Sequence, residues 1–187
     1  MADDPTTQQP LQLHTLSGCR LAIGRYPAFT YDGRGGGGPG IAAAHQLCFA
    51  PDTLSIPPLN ASTTRFLGLP LPPGLSIAIA AERLSGGWDP ESGAIALEFR
   101  ARFRFRACLA GRVVYAPPDL QIACTLSSGT AKGQRHAAVG RVRAADGRTR
   151  LVGVARVEPS GDALLDRFLG LPDEALAVLE CRIETSA

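Results

Sequence analysis

From residue 95 to residue 107 the chain alternates without a break. Ile95, Leu97, Phe99, Ala101, Phe103, Phe105 and Ala107 are apolar, and from position 98 the residues between them are Glu98, Arg100, Arg102, Arg104 and Arg106. A period of two is the signature of a strand with one buried face; a helix would scatter the arginines around its circumference. At about 3.3 Å per residue the run would extend roughly 40 Å. A strand that long must coil or bulge around a barrel or sandwich.

The same period recurs on either side. Residues 75–82 place Leu75, Ile77 and Ile79 on one face, and residues 85–93, with Asp89-Pro90 and several glycines, supply turn chemistry, so the region reads as a hairpin. Leu120, Ile122, Cys124 and Leu126 alternate again. Residues 135–143 are expected to pair with 150–157 across a turn at Asp146-Gly147. Residues 175–184 close the chain with Ala177, Leu179, Cys181 and Ile183 opposed to Val178, Glu180, Arg182 and Glu184. Upstream, residues 11–23 contain a first strand, residues 41–49 a short helix or strand, and residues 51–58 an extended connection.

One hexapeptide occurs twice: Arg65-Phe66-Leu67-Gly68-Leu69-Pro70 recurs as Arg167-Phe168-Leu169-Gly170-Leu171-Pro172. Each copy has a Thr- or Asp-containing approach, a late glycine and a following proline, and this predicts one or two helical turns leading into a strand. Phe66 and Phe168 then cover an open end or edge of the sheet. Duplication and independent reuse of one packing element both account for the echo. The predicted fold is therefore all-β and mainly antiparallel, a barrel or strongly coiled meander sheet with two short helical plugs.

Composition sets the boundaries of that domain. The 15 prolines and 21 glycines leave few windows for a long helix, and 45% apolar residues in 187 suffice for one sizeable core. Residues 1–10, acidic and polar, read as a disordered lead-in to a single domain over 11–187. Residues 32–40, six of the nine being glycine, read as a flexible loop. Neither a secretory signal nor an apolar run of membrane-spanning length is visible, which assigns the chain to the cytoplasm with no membrane span. Cys19, Cys48, Cys108, Cys124 and Cys181 are odd in number and form no C-x-x-C pair; they read as small buried hydrophobes in a reducing compartment.

A net charge of +2 is too small for the whole molecule to attract nucleic acid or membrane, so any such role must rest on a local patch. One candidate is the outer face of Arg100, Arg102, Arg104 and Arg106, whose repeat approaches phosphate spacing and which could meet an acidic protein surface. Ion pairs with Glu82 and Glu98 nearby, or with Glu158, Glu180 and Glu184 on other outward faces, are the simpler account. Nucleic acid is disfavoured because Phe99, Phe103 and Phe105 point away from the arginines. Lys132, Arg135 and His136, in a small polar loop without the Walker A order, are the candidate anion-binding residues.

No catalytic motif, metal-ligand spacing or cofactor fingerprint is present, and His14, His45 and His136 are far apart. The expectation is a non-enzymatic binding protein that holds an apolar or lipid-like small molecule inside a barrel, with Phe99, Phe103, Phe105, Trp88 and Ile122 as candidate cavity residues. The alternatives are an interaction or assembly factor acting through the arginine face and Trp88, and a barrel isomerase or cyclase for an apolar substrate. Oligomeric state is left open.

Overall fold

The structure, a computed structural model, describes residues 8–185; the expected lead-in over residues 1–7 lies outside them. Gln8, Gln9 and Pro10, also expected in that lead-in, instead open strand β1 (Gln8–Thr15). The chain continues through β2 (Cys19–Ile23), β3 (Phe29–Tyr31), β4 (Gly37–Ala43) and β5 (Gln46–Phe49), then a 3-10 turn at Pro51–Thr53. Next come β6 (Thr64–Phe66), β7 (Leu69–Pro70), β8 (Leu75–Trp88), β9 (Ile95–Leu109), β10 (Arg112–Tyr115) and β11 (Leu120–Ser127). The last elements are β12 (Thr130–Lys132), β13 (Ala137–Val139), β14 (Arg148–Val157), helix α1 (Ala163–Leu169) and β15 (Asp173–Thr185).

Eight strands close a ring in the order β1, β4, β5, β8, β9, β11, β14 and β15, with β15 returning to β1; the ring is not evenly disposed about an axis. Every pairing is antiparallel, as the alternating pattern requires. The last residues of β15 pair with β1 and its first half pairs with β2, so a second arm, β2, β3, β6 and β7, branches from the ring.

The 75–107 region forms the expected hairpin, but β8 runs on to Trp88 and the turn is confined to the residues after it. The register shifts between Ala81 and Arg83. That bulge changes which positions face inward, from Ile77 and Ile79 before it to Leu84 after it.

Three expectations are corrected. The glycine-rich stretch is not a free loop: Gly37, Gly38, Pro39 and Gly40 lie in β4, paired with β1. Glycine is needed there for close approach, since a Cβ at Gly37 would collide with the Leu13 carbonyl and one at Gly40 with the Phe49 ring. The turn at 146–147 forms, with Gly147 N–H donating to the Ala144 carbonyl at 2.9 Å. The residues before it, however, do not pair along β14. Only Arg141 bridges to Arg150, while β13 pairs with β12 in a separate hairpin. Finally, there is one helical plug rather than two: the first hexapeptide copy forms the β6–β7 hairpin and only the second ends a helix.

The interior has two ends. At one, Tyr31, Ile77, Phe103, Phe105 and Val157 pack with Leu165 and Leu169, which share one face of α1. At the other, Leu13, Leu47, Phe49, Leu97, Leu151 and Ile183 form a second cluster, and Phe99, Cys124 and Leu179 touch both. Each such side chain contributes about 1.5–3 kcal/mol by leaving water. The outer face of β14 and β15 is apolar too: Val152, Val154, Leu176 and Val178 pack with Ala131 and Ala138 of the β12–β13 hairpin.

Candidate functional site

Between the two ends lies a cavity of about 110 Å³. Phe99 and Phe103 of β9 line it together with Ile79, Ile122 and Cys124, and Gly153, Ala155, Ala175 and Ala177 line it from β14 and β15. Register brings the small residues together, setting Gly153 opposite Ala177 and Ala155 opposite Ala175. Larger side chains on these adjacent strands would fill the space.

A strap between β5 and β6 supplies further wall through Leu54, Ser55 and Ile56. Ser55 and Gly37 exchange two backbone hydrogen bonds of 2.8 Å, and Leu59 and Ile77 exchange two of 2.9 and 2.8 Å. The Tyr31 hydroxyl donates to the Pro57 carbonyl from β3. The strap is thus fastened to three strands, and Pro51, Pro57 and Pro58 restrict its backbone.

Three polar side chains at the wall, Thr15, Cys19 and Tyr31, are already engaged with the protein. The Thr15 hydroxyl donates to the Gly33 carbonyl, and the Cys19 thiol donates to the Leu16 carbonyl at 3.3 Å. Burial raises the Cys19 thiol and the Tyr31 phenol above their ordinary values and pushes Cys124 up to about 11, so all three are neutral at pH 7. The lining can offer dispersion and desolvation, with no charge and little free hydrogen-bonding capacity.

Of the candidates read from sequence, Phe99, Phe103 and Ile122 line this cavity. Phe105 is buried in the cluster beside α1 and does not reach the lining. Trp88 packs against the opposite cluster and donates from Nε1 to the Ala44 carbonyl at 3.0 Å, so it belongs to that end of the barrel and not to the cavity. Small inward residues are visible in the sequence as a source of space, Ala177 among them, but it takes the pairing of β14 with β15 to set Gly153, Ala155 and Ala175 beside it.

The arginine face is largely neutralised. Arg100 pairs with Glu98 at 2.8 Å and Arg83 with the same carboxylate at 3.1 Å; Arg102 pairs with Glu82 at 2.7 Å. Arg104 grips Asp119 through two 3.0 Å hydrogen bonds, which hold that carboxyl below its ordinary range. Arg106 alone of the four makes no ion pair among the described residues. Glu180 serves Arg141 and Arg150, Glu158 serves Arg156, and Glu184 serves Arg182.

The polar loop does cradle an anion, and the anion is the chain's own. The Glu174 carboxylate accepts backbone N–H bonds from Gln134 at 2.6 Å, Arg135 at 2.9 Å and His136 at 3.3 Å. Those donors hold its pKa below the usual glutamate value. Arg135 pairs with Asp173 at 3.1 Å, and Lys132 is exposed on β12.

Cys19 and Cys181 are buried and Cys108 and Cys124 partly so, whereas Cys48 is exposed on β5, contrary to the expectation for all five. Among the described residues no cluster of His, Cys, Asp and Glu is arranged to hold a metal ion, and no helix is long and apolar enough to cross a membrane. No family model, curated protein or solved structure matches the chain.

Proposed function

We propose that the chain binds a small apolar molecule, or one alkyl segment of a lipid-like molecule, in the cavity between the two cores. The observation that carries this reading is a space of about 110 Å³ lined almost wholly by apolar side chains, with the Thr15, Cys19 and Tyr31 groups neutral and turned to backbone carbonyls. Size narrows the ligand. Pockets for drug-sized molecules span about 300–1,000 Å³, whereas an engineered apolar cavity of about 150 Å³ stays dry and accepts benzene or xenon. A bulky ring system does not fit without movement of the strap.

Two features favour binding over proton-transfer chemistry. Cys19, Cys124 and Tyr31 are held neutral by burial, and the carboxylates whose charge reaches Cys19 and Tyr31, Asp32 and Glu180, are themselves paired with arginines. The assembly role for the arginine face loses support because Arg100, Arg102 and Arg104 already have partners.

The test is thermal unfolding in buffer containing benzene. Ligand that binds only the folded chain raises Tm, by an amount that grows with the logarithm of its concentration above Kd. The natural chain should gain a few degrees, and Ala177→Leu, which fills the space, should gain nothing while remaining folded. An unchanged Tm for the natural chain, or an equal rise for both chains, overturns the reading.

A further inference from the structure

Exposed apolar side chains are not spread evenly over this molecule. Leu67 and Leu69 stand 73% and 70% exposed on the β6–β7 hairpin, and Leu164 and Phe168 are exposed on α1. Leu109, Val113 and Val114 are exposed on the β9–β10 hairpin. Among the described residues, only Ile41, Val139 and Val142 of the exposed large hydrophobic side chains lie elsewhere.

These three elements rim the same end of the barrel. The Tyr115 hydroxyl of β10 donates to Asp162, the N-cap of α1, at 2.6 Å. The Tyr26 ring sits 5.1 Å from Phe168 of α1 and 6.2 Å from Phe66 of β6, joining the helix to the first hairpin. Cys108 N–H donates to the Gly74 carbonyl at 2.9 Å, tying the β9–β10 hairpin to the segment that leaves β7.

Of the seven arginines that form no ion pair among the described residues this rim holds five; the other two are Arg20 on β2 and Arg143, which donates to the Ile183 carbonyl. Arg25, Arg65, Arg112 and Arg167 are exposed and form no ion pair among the described residues, and Arg106 has only the field of Asp119, which Arg104 already grips. The other carboxylates here are engaged in holding α1: Asp162 caps the helix and Asp166 accepts from Ser160. Arg25 and Arg65 reach backbone carbonyls, which leaves their charge uncompensated.

We infer that this rim docks on an anionic membrane surface. Aliphatic and aromatic side chains on several protruding elements, set among unpaired guanidinium groups, match the two forces that hold a peripheral protein at such a surface: apolar insertion at the headgroup boundary and attraction to negative lipid charge. A net charge of +2 conceals this, because elsewhere most arginines are cancelled locally. The inference does not depend on the cavity holding a ligand.

Vesicle co-sedimentation tests it. The natural chain should pellet with phosphatidylcholine vesicles containing 30% phosphatidylglycerol, an amount of roughly the scale that makes surface charge matter, and should remain in the supernatant with phosphatidylcholine alone. A Leu67→Ser, Leu109→Ser, Leu164→Ser variant changes only exposed positions and should bind at least tenfold more weakly. So should Arg65→Gln with Arg112→Gln and Arg167→Gln, whereas Arg100→Gln with Arg102→Gln should bind as the natural chain does. Equal binding to both vesicle types, or no effect of the leucine variant, overturns the proposal. Sedimentation velocity provides another check: a dimer that the leucine variant dissolves would assign the rim to a second copy and overturn it too. Retention on immobilised poly-glutamate without vesicle binding would point to an acidic protein partner instead.

Discussion

Arg65–Pro70 and Arg167–Pro172 are the same six residues in two different structures. The first is a hairpin turning at Leu67 and Gly68, both at positive φ; the second is the last turn of α1, closed by Gly170 in the left-handed region. Matching leucines have opposite fates, Leu67 being 73% exposed and Leu169 4%. The difference lies upstream. Asp162 accepts from the Leu165 N–H and starts a helix whose Leu165 and Leu169 share a buried face. Before the first copy, Asn60 accepts from the N–H groups of Ser62 and Thr63, a local turn that is followed by the β-branched pair Thr63-Thr64. What the copies share is narrower than a fold: a phenylalanine against Tyr26 and a glycine with φ of 81° or 76°.

The contrast is sharpest at the leucines. Leu169→Ala should cost about 2–4 kcal/mol, and Leu67→Ala less than about 0.5 kcal/mol, in denaturant unfolding; equal losses would mean that the hairpin tip is packed in solution. A smaller effect tests what the copies have in common. Gly68→Ala and Gly170→Ala should each cost about 1–2 kcal/mol, because both put a Cβ into left-handed backbone. Gly170→Ala must in addition move the Arg25 guanidinium. If one glycine tolerates alanine freely, its backbone is not held as described.

The smallest effect separates the copies by pH. The Tyr115 hydroxyl holds the Asp162 carboxyl below its ordinary range, and the Ser160 hydroxyl does the same for Asp166. A carboxylate with a depressed folded-state pKa stabilises the fold above its unfolded pKa, near 4, and this contribution is lost as pH falls through the folded value. Amide protection over residues 165–170, corrected for intrinsic exchange, should therefore fade at acid pH while residues 65–69, which contain no carboxylate, keep theirs. Parallel loss in both segments would show global unfolding instead.

Much of the fold was legible because strand alternation is local. Residues 95–107 and 175–184 form strands where the pattern predicted them, and Asp146-Gly147 turns where its chemistry requires. Partners were not legible. Nothing local to residues 137–139 says that they pair with β12 instead of β14, or that Asp119 rather than a glutamate meets Arg104. The glycines of β4 looked like a loop because composition records entropy and omits the Leu13 carbonyl and Phe49 ring that press on them. The cavity was half visible: Phe99, Phe103 and Ile122 follow from alternation, but its emptiness comes from the register that aligns Gly153, Ala155, Ala175 and Ala177.

The loop at residues 133–136 looked like a receptor for anions and is already saturated by one. Glu174 is covalently attached to the same chain, so it competes for those backbone N–H groups at an effective concentration on the order of millimolar or more. A free phosphate or carboxylate at micromolar level is outcompeted before it arrives. The cradle therefore acts as a clasp, holding the loop between β12 and β13 to the first residues of β15.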